Sequence, residues 1–280
     1  MVCGRQFQGG LRVRNEDLWL DFRVGKQTLR QLAEKQGCSI RTIQRRLDRI
    51  EAEAGGFESG PSLGKVVIVM DTTYFGRDFG VLLIKDVHRS QVLHREYVKQ
   101  ETNRLYEQAV GELQARGYEI AAIVCDGRKG LFNVFGETPV QMCQFHQSAI
   151  ITRYLTRRPK TLASHQLREL ALTLSRTDRK SFTEGLESWH DEWKTFLNER
   201  TVNPETGKQT FTHRRLRSAY RSLKTNLPWL FTFEDHPDLG IPNTTNSLEG
   251  TFADLKNKLR CHNGLSQQRR KKFIDEFLKA

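Results

Sequence analysis

Residues 66–73 read Val66-Val67-Ile68-Val69-Met70-Asp71-Thr72-Thr73, and residues 120–127 read Ile120-Ala121-Ala122-Ile123-Val124-Cys125-Asp126-Gly127. Each is a short apolar run, rich in β-branched residues, that closes on an aspartate. Continuous apolar runs of this length, bounded by polar or glycine residues, read as strands covered on both faces, the habit of parallel strands. Two such strands lying side by side would deliver Asp71 and Asp126 to one edge of the sheet. A third carboxylate, Glu249, falls in the first turn of a helix predicted to begin near Asn246. Three carboxylates make an all-oxygen donor set, which suits Mg²⁺ or Mn²⁺ better than zinc and points to metal-assisted phosphoryl transfer. The bland alternative is that single aspartates at strand ends are turn or cap residues. Two of them, each ending an apolar run and each followed by Thr or Gly, favour ligation.

The elements around these runs set the expected fold. After Asp71 the chain is expected to turn through Phe75-Gly76-Arg77. Phe79 to Val87 and Gln91 to Val98 read as two more strands, joined at His88-Arg89-Ser90. A helix is predicted from about Thr102 to Arg116, ahead of the strand that ends at Asp126. A basic turn (Arg128, Lys129), a short apolar stretch and a fifth strand at 139–143 follow. The order β-β-β-α-β-α-β-α is that of the ribonuclease H-like fold, in which the first and fourth strands are parallel neighbours. The fold class expected is α/β, a ribonuclease H-like core. Asp126 and Glu249 are 123 positions apart, too far for a bare core, so residues 157–243 are expected to form an all-helical insertion. Within it Phe182, Leu186, Trp189, Trp193 and Phe196 form one amphipathic stripe, and Leu216, Tyr220, Leu223 and Leu227 another. Such stripes are usually core; the minority reading stacks Trp189 or Trp193 on a splayed base. Pro204-Glu205-Thr206-Gly207 reads as a loop tip.

Upstream of the core, residues 11–52 read as three short helices. Leu18, Trp19 and Phe22 share a face of the first, and Leu29, Leu32 and Ala33 a face of the second. Gly37-Cys38-Ser39 makes a turn with Ser39 as N-cap. The third helix would turn Ile40, Ile43, Leu47 and Ile50 inward and Arg41, Thr42, Gln44, Arg45, Arg46 and Arg49 outward. That pattern fits a helix-turn-helix placing its second helix in a DNA major groove, the alternative being a helical cap with a solvated basic face. Residues 53–64, rich in Gly, Ser and Glu, read as a linker. The opening, with Cys3 in Cys-Gly-Arg-Gln-Phe, is similar to the closing half of a zinc ribbon. One cysteine cannot close a four-ligand site, so residues 1–10 are expected to be a truncated remnant or a tail.

Composition agrees with a polyanionic partner. The 280-residue chain carries a formal charge of +12, which favours nucleic acid over a membrane surface. Its five cysteines are odd in number and scattered, against a disulfide framework and for a reducing compartment. No stretch nears the length of a membrane span. The expectation is a soluble, intracellular protein. Basic clusters at Arg157-Arg158, Arg214-Arg215 and Arg269-Arg270-Lys271-Lys272 are either solvated faces or phosphate contacts.

Met-Asp71-Thr-Thr-Tyr-Phe-Gly, Cys-Asp126-Gly-Arg-Lys-Gly-Leu and Asn-Thr-Thr-Asn246-Ser-Leu-Glu249-Gly together resemble the three acidic motifs of DDE transposases, in order. The nearest resemblance is to the Mutator-like group of bacterial insertion sequences, which also carries a Cys-x-x-His after the fifth strand, matched by Cys143-Gln144-Phe145-His146. The resemblance spans roughly residues 65–275 and departs from a full-length relative at the N-terminus. It implies Asp71, Asp126 and Glu249 as catalytic residues holding two Mg²⁺ (or Mn²⁺) ions, and cleavage followed by 3′-hydroxyl strand transfer without a covalent protein–DNA intermediate. It further implies double-stranded DNA as partner (element ends and target), a homodimer or larger assembly, and a cytoplasmic, nucleoid-associated bacterial protein. Residues 244–280 would complete the core, with Lys256 and Arg260 joining Arg128 and Lys129 at DNA. Glu249 also fits a capping box with Asn246. Its helix places Leu248, Phe252, Leu255 and Leu259 on a buried stripe and Glu249, Ala253, Lys256 and Arg260 on another. Cys143 and His146 could be half of a zinc site, but no second pair stands nearby, so a packing or hydrogen-bonding role is preferred. The runner-up functions are a metal-dependent nuclease of the same fold without strand transfer, and a catalytically inactive DNA-binding regulator.

Overall fold

The computed structural model describes residues 14–23, 25, 27–49, 64–77, 79–262 and 265–279. Cys3, Ile50 and nearly all of the linker expected at 53–64 lie outside them. The chain divides into two compact units, one of residues 59–250 and one of residues 1–58 with 251–280.

The larger unit is built on a five-stranded mixed sheet in the order β3-β2-β1-β4-β5. Strand β1 (Lys65–Phe75) pairs antiparallel with β2 (Phe79–Asp86), which pairs antiparallel with β3 (Val92–Val98). On its other side β1 runs parallel to β4 (Glu119–Cys125), and β4 parallel to β5 (Val140–Met142). Val66, Val67, Ile68, Val69 and Met70 are all buried, as a strand enclosed on both faces requires. β1 continues through Asp71 to Phe75 because β2 keeps pairing with it up to Phe75↔Phe79, and the chain turns at Gly76 and Arg77, where the turn was expected. The parallel partner β4 stops earlier, its last registered pair with β1 being Val69↔Val124.

Helix α4 (Asn103–Ala115) connects β3 to β4, with Thr102 as N-cap, its Oγ1 accepting from the Leu105 N–H at 3.2 Å. The helix expected between β4 and β5 is a single 3₁₀ turn, Phe132–Phe135. Helix α5 (Gln144–Leu155) follows β5 directly. Then come α6 (Leu162–Leu172), α7 (Arg179–Asn198), α8 (Arg214–Leu230) and the one-turn α9 (Thr232–Asp235). The insertion is not wholly helical: β6 (Arg200–Val202) and β7 (Gln209–Phe211) pair as a hairpin. The turn residues read as a loop tip, Pro204 to Gly207, lie at its end. Period-2 patterning cannot show in strands of three residues, so the hairpin left no apolar signature. Buried amides fasten these helices to the sheet. Gln141 and Gln144 both donate from Nε2 to the Leu230 carbonyl, at 2.9 and 2.8 Å, and the Thr232 hydroxyl donates to the Val140 carbonyl at 2.7 Å. The two tryptophans considered for base stacking serve the core instead. Trp189 is buried and donates from Nε1 to the Ala163 carbonyl at 3.0 Å; Trp193 is half-buried and donates to Gln166 Oε1 at 2.6 Å.

The smaller unit holds α1 (Asn15–Arg23), α2 (Leu29–Lys35), α3 (Ile40–Arg49) and α11 (Gln267–Lys279). Gly37 at φ +56° makes the turn between α2 and α3, a left-handed conformation that glycine adopts without steric penalty. Ser39 then caps α3, its Oγ accepting from the Thr42 N–H at 3.2 Å. Leu18, Phe22, Leu32, Ala33, Ile43 and Leu47 are buried, but Ile40 is exposed, because the first turn of α3 lies beyond the packed face. Residues 251–280 group with this unit. Arg269 grips Asp48 bidentately at 2.8 and 2.7 Å, and Lys272 donates to the Leu47 carbonyl at 2.7 Å. That part of the C-terminal basic cluster is engaged within the protein. Among the described residues no helix is long and apolar enough to cross a membrane.

Candidate metal centre

The register of β1 and β4 places the two aspartates. Asp71 lies two residues beyond Val69 and Asp126 two beyond Val124, the last registered parallel pair. Both therefore leave the same sheet edge at equivalent positions. At Gly127, next to Asp126, an added Cβ would meet the terminal methyl of Met142, which would have to shift. Asp71 Oδ1 accepts from the Thr72 N–H at 2.7 Å. Asp126 Oδ1 is buried with no hydrogen-bond partner, a state that costs on the order of 1–3 kcal/mol or more for a charged group unless something satisfies it.

Glu249 arrives on the first turn of α10 (Asn246–Arg260). The capping box expected of Asn246 and Glu249 is not the arrangement found. The helix begins at Asn246, and the N–H groups of Leu248 and Glu249 bond back to the carbonyl of the residue before it, Thr245. This puts the Glu249 carboxylate beside Thr245, whose Oγ1 donates to Glu249 Oε1 at 3.2 Å. Thr245 itself is fully buried, while Asn246 is exposed on the rim of a groove that also includes Gln144, Phe145 and Arg153.

Cys143 and His146 join the same cluster. Cys143 is the N-cap residue of α5 and His146 lies in its first turn. The Thr245 N–H and hydroxyl point at Cys143 Sγ at 3.3 and 3.4 Å, and His146 Nε2 lies 3.9 Å from Glu249 Oε1. The preferred reading of this pair as hydrogen-bonding neighbours of the site fits these contacts. The sequence missed a fourth carboxylate. Glu101, just before α4, accepts from the Tyr106 hydroxyl at 2.8 Å, and that hydroxyl also meets Thr72 Oγ1 at 2.9 Å. Glu101 lies in a polar loop with no apolar run to flag it, although the helix start at Thr102 was legible.

The electrostatics treat these groups as one cluster. Burial pushes the Asp71 carboxyl up to about 7; the His146 charge and the Thr72 N–H oppose this, while Asp126 and Glu101 add to it. Burial, with the Asp126 charge, also raises Glu101, against the Tyr106 hydrogen bond and the Arg128 charge. His146 is pushed up to about 9, chiefly by its hydrogen bond with Cys143 and against burial, with Asp71 and Glu249 helping to hold the proton. Like-charged carboxylates drawn from water into one cluster are a poor arrangement by themselves and a good one around a cation. The carboxylates and the partnerless Asp126 Oδ1 suit a hard divalent ion, whereas the one group of three donors lying within 4.8 Å of one another among the described residues is Cys143, His146 and Glu249.

The other expected site residues differ in exposure and in their partners. Arg128 donates to Asn103 Oδ1 and the Glu101 carbonyl, both at 2.8 Å, so it braces the start of α4. Lys129 is exposed. On α3, Arg41, Thr42, Arg45 and Arg49 are exposed, and Gln44 and Arg46 are half-buried, with Arg46 donating to Asn15 Oδ1 at 3.0 Å. Lys256 is half-buried; Arg260 is exposed and bonded to Asn257 Oδ1 at 3.3 Å.

No curated protein matches the chain. A family model described as "Transposase, Mutator family" matches residues 83–227, more than half of the chain. That span contains Asp126, Cys143 and His146; Asp71 lies before it and Glu249 after it. On this match the chain belongs to the Mutator family of transposases.

Proposed function

We propose that this transposase cleaves DNA at the ends of its element and joins the freed 3′-hydroxyls to target DNA, using Asp71, Asp126 and Glu249 as the ligands of two Mg²⁺ or Mn²⁺ ions. The observation that carries the reading is the strand register, which brings Asp71 and Asp126 off one sheet edge at equivalent positions, with Asp126 Oδ1 buried and partnerless. The strand order β3-β2-β1-β4-β5 supports a ribonuclease H-like core. Bound divalent cations would supply activation of the attacking hydroxyl and charge stabilisation at the leaving oxygen. The chain's own residues prepare the site. The Thr72 N–H fixes one Asp71 oxygen, and Thr245 with His146 orients Glu249. Tyr106 holds Glu101 and Thr72 together behind the aspartates.

Two basic grooves support a DNA path in the same unit. One, of about 780 Å³, includes Asn246, Phe145, Arg153, Arg157 and Arg168, and begins beside the helix turn that carries Glu249. The other includes Arg158, Lys160, Arg214 and Arg215, and Thr156 is common to both. Phosphate contacts along them would make binding steeply salt-dependent. In the smaller unit α2, the Gly37 turn and α3 support a helix-turn-helix that reads the element's terminal repeats through Arg41, Thr42, Gln44, Arg45, Arg46 and Arg49. Joining two ends calls for a dimer or larger assembly.

The test is Mg²⁺-dependent nicking and joining of a labelled copy of the element's own end by wild type and Glu249→Ala, with binding measured for both. Cleavage and joining by wild type, with binding alone by the variant, is the expected result. Cleavage without joining would make the protein a nuclease. Binding with no cleavage by either would make it a regulator.

A further inference from the structure

We infer that Cys143, His146 and Glu249 form a second, softer metal site that takes Zn²⁺ and in doing so withdraws Glu249 from the carboxylate set. One donor atom from each side chain lies within 4.8 Å of the other two. Ligands around one tetrahedral zinc stand roughly 3–4 Å apart, given bonds of about 2.0–2.3 Å. Side-chain rotations that close each gap by about an ångström therefore suffice. The backbone already delivers the pair, since a cysteine at the N-cap and a histidine one turn later face the same way from the start of α5.

The present occupant of that triangle is a poor substitute for a cation. The Thr245 hydroxyl contacts Cys143 Sγ at 3.4 Å, His146 Nδ1 at 3.5 Å and Glu249 Oε1 at 3.2 Å. All three contacts are long, and the single hydroxyl proton cannot serve Cys143 Sγ and Glu249 Oε1 together, while His146 shares its own with Cys143. Zinc would satisfy all three donors at once. The Thr245 N–H, 3.3 Å from Sγ, would remain as the outer hydrogen bond that metal-bound thiolates commonly accept. The side chains of His146 and Glu249 are 30% and 32% exposed, so an ion can enter from their side and keep a water as fourth ligand. Thiolate and imidazole favour zinc over Mg²⁺, whereas the aspartate pair favours the hard ion. Glu249 is the shared donor, and zinc at the soft site would starve the hard one.

Only the inhibitory consequence rests on the transposase reading; the binding stands on the three side chains alone. The whole, reduced protein is titrated with Co²⁺ as an optical stand-in for zinc, and then with Zn²⁺. Expected are an intense near-ultraviolet thiolate-to-cobalt band and visible bands of a tetrahedral ion, both erased by Zn²⁺. Cys143→Ser should lose the thiolate band. His146→Ala should weaken cobalt binding by at least the roughly 10–100-fold that outer-sphere changes cost, and it serves as the test should Cys143→Ser not fold. A folded wild type without the band overturns the site, as does a band that survives in Cys143→Ser or binding unchanged in His146→Ala. Zinc inhibition of Mg²⁺-dependent cleavage, scored against each protein's zinc-free rate, should be stronger in wild type than in Cys143→Ser. Absence of cleavage in both would sink the transposase reading and leave the cobalt spectrum to decide the metal site. Equal inhibition of both proteins would overturn the competition.

Discussion

Asp235 and Asp71 lie in the same unit and shift in opposite directions. Asp235, in the helical segment, is held below the usual carboxylate range by hydrogen bonds from the Arg179 guanidinium, against slight burial. Those bonds are 2.7 and 2.6 Å long. Asp71, at the sheet edge, is pushed up to about 7 by burial, with like charges nearby. The helical segment pairs Asp235 with Arg179 and gives the Trp189 and Trp193 indoles a hydrogen-bond acceptor each. At the sheet edge Asp71 and Glu249 both act on the His146 imidazole, Asp126 and Glu101 act on Asp71, and Asp126 Oδ1 has no hydrogen-bond partner. A charge paired within the protein serves the fold, and one buried beside its like awaits a ligand.

Substitutions can break that contrast. The largest effect is expected of Asp71→Asn, which should lower DNA cleavage by at least about 10³-fold, the scale on which a principal catalytic group acts. Its thermal stability without metal should not fall, because a neutral amide replaces a carboxyl that burial disfavours. A marked loss of stability would place Asp71 among the structural carboxylates. Next in size, Trp189→Ala should destabilise the fold by about 3–5 kcal/mol in a denaturant titration, as large aromatic truncations do. The molecules that remain folded should cleave at the wild-type rate. Were cleavage lost with stability intact, the division of labour between the two regions would fail.

Thr245→Val should cost roughly 10–100-fold in activity, with a raised Mg²⁺ requirement, since it removes the hydroxyl that holds Glu249. An unchanged Mg²⁺ dependence would remove Thr245 from the site. The smallest effect concerns pH. Burial lowers the His94 pKa, with the Glu112 charge opposing. The unfolded chain thus binds the proton more readily, and stability falls as pH drops below the ordinary histidine value of about 6.5. Melting temperatures at pH 7.5 and 5.5 should differ less in His94→Gln than in wild type; an equal difference would show another group in control.

The sequence revealed most where apolar pattern and geometry coincide. The runs at 66–70 and 120–125 are strands because their residues fit a sheet covered on both sides, and their aspartates follow from the shared register. The buried faces of α7, α8 and α10 followed from their periodicity in the same way. Less visible were features set by single contacts between distant residues. Nothing local marks Glu101 as facing Asp126, or Thr245 as the hydroxyl between Cys143 and Glu249. The hairpin β6–β7 is too short to show an alternation. Residues 251–280 group with the N-terminal helices through pairs such as Asp48 and Arg269, 221 positions apart, which no window along the chain can contain.

The most direct test of the centre is the binding of Mn²⁺ to the metal-free protein, followed by electron paramagnetic resonance in wild type and Asp126→Asn. Wild type should take up Mn²⁺ with the spectrum of an all-oxygen site, and the variant, equally folded, should not. Identical binding by the two proteins would contradict the placing of the metal centre at the edge of β1 and β4.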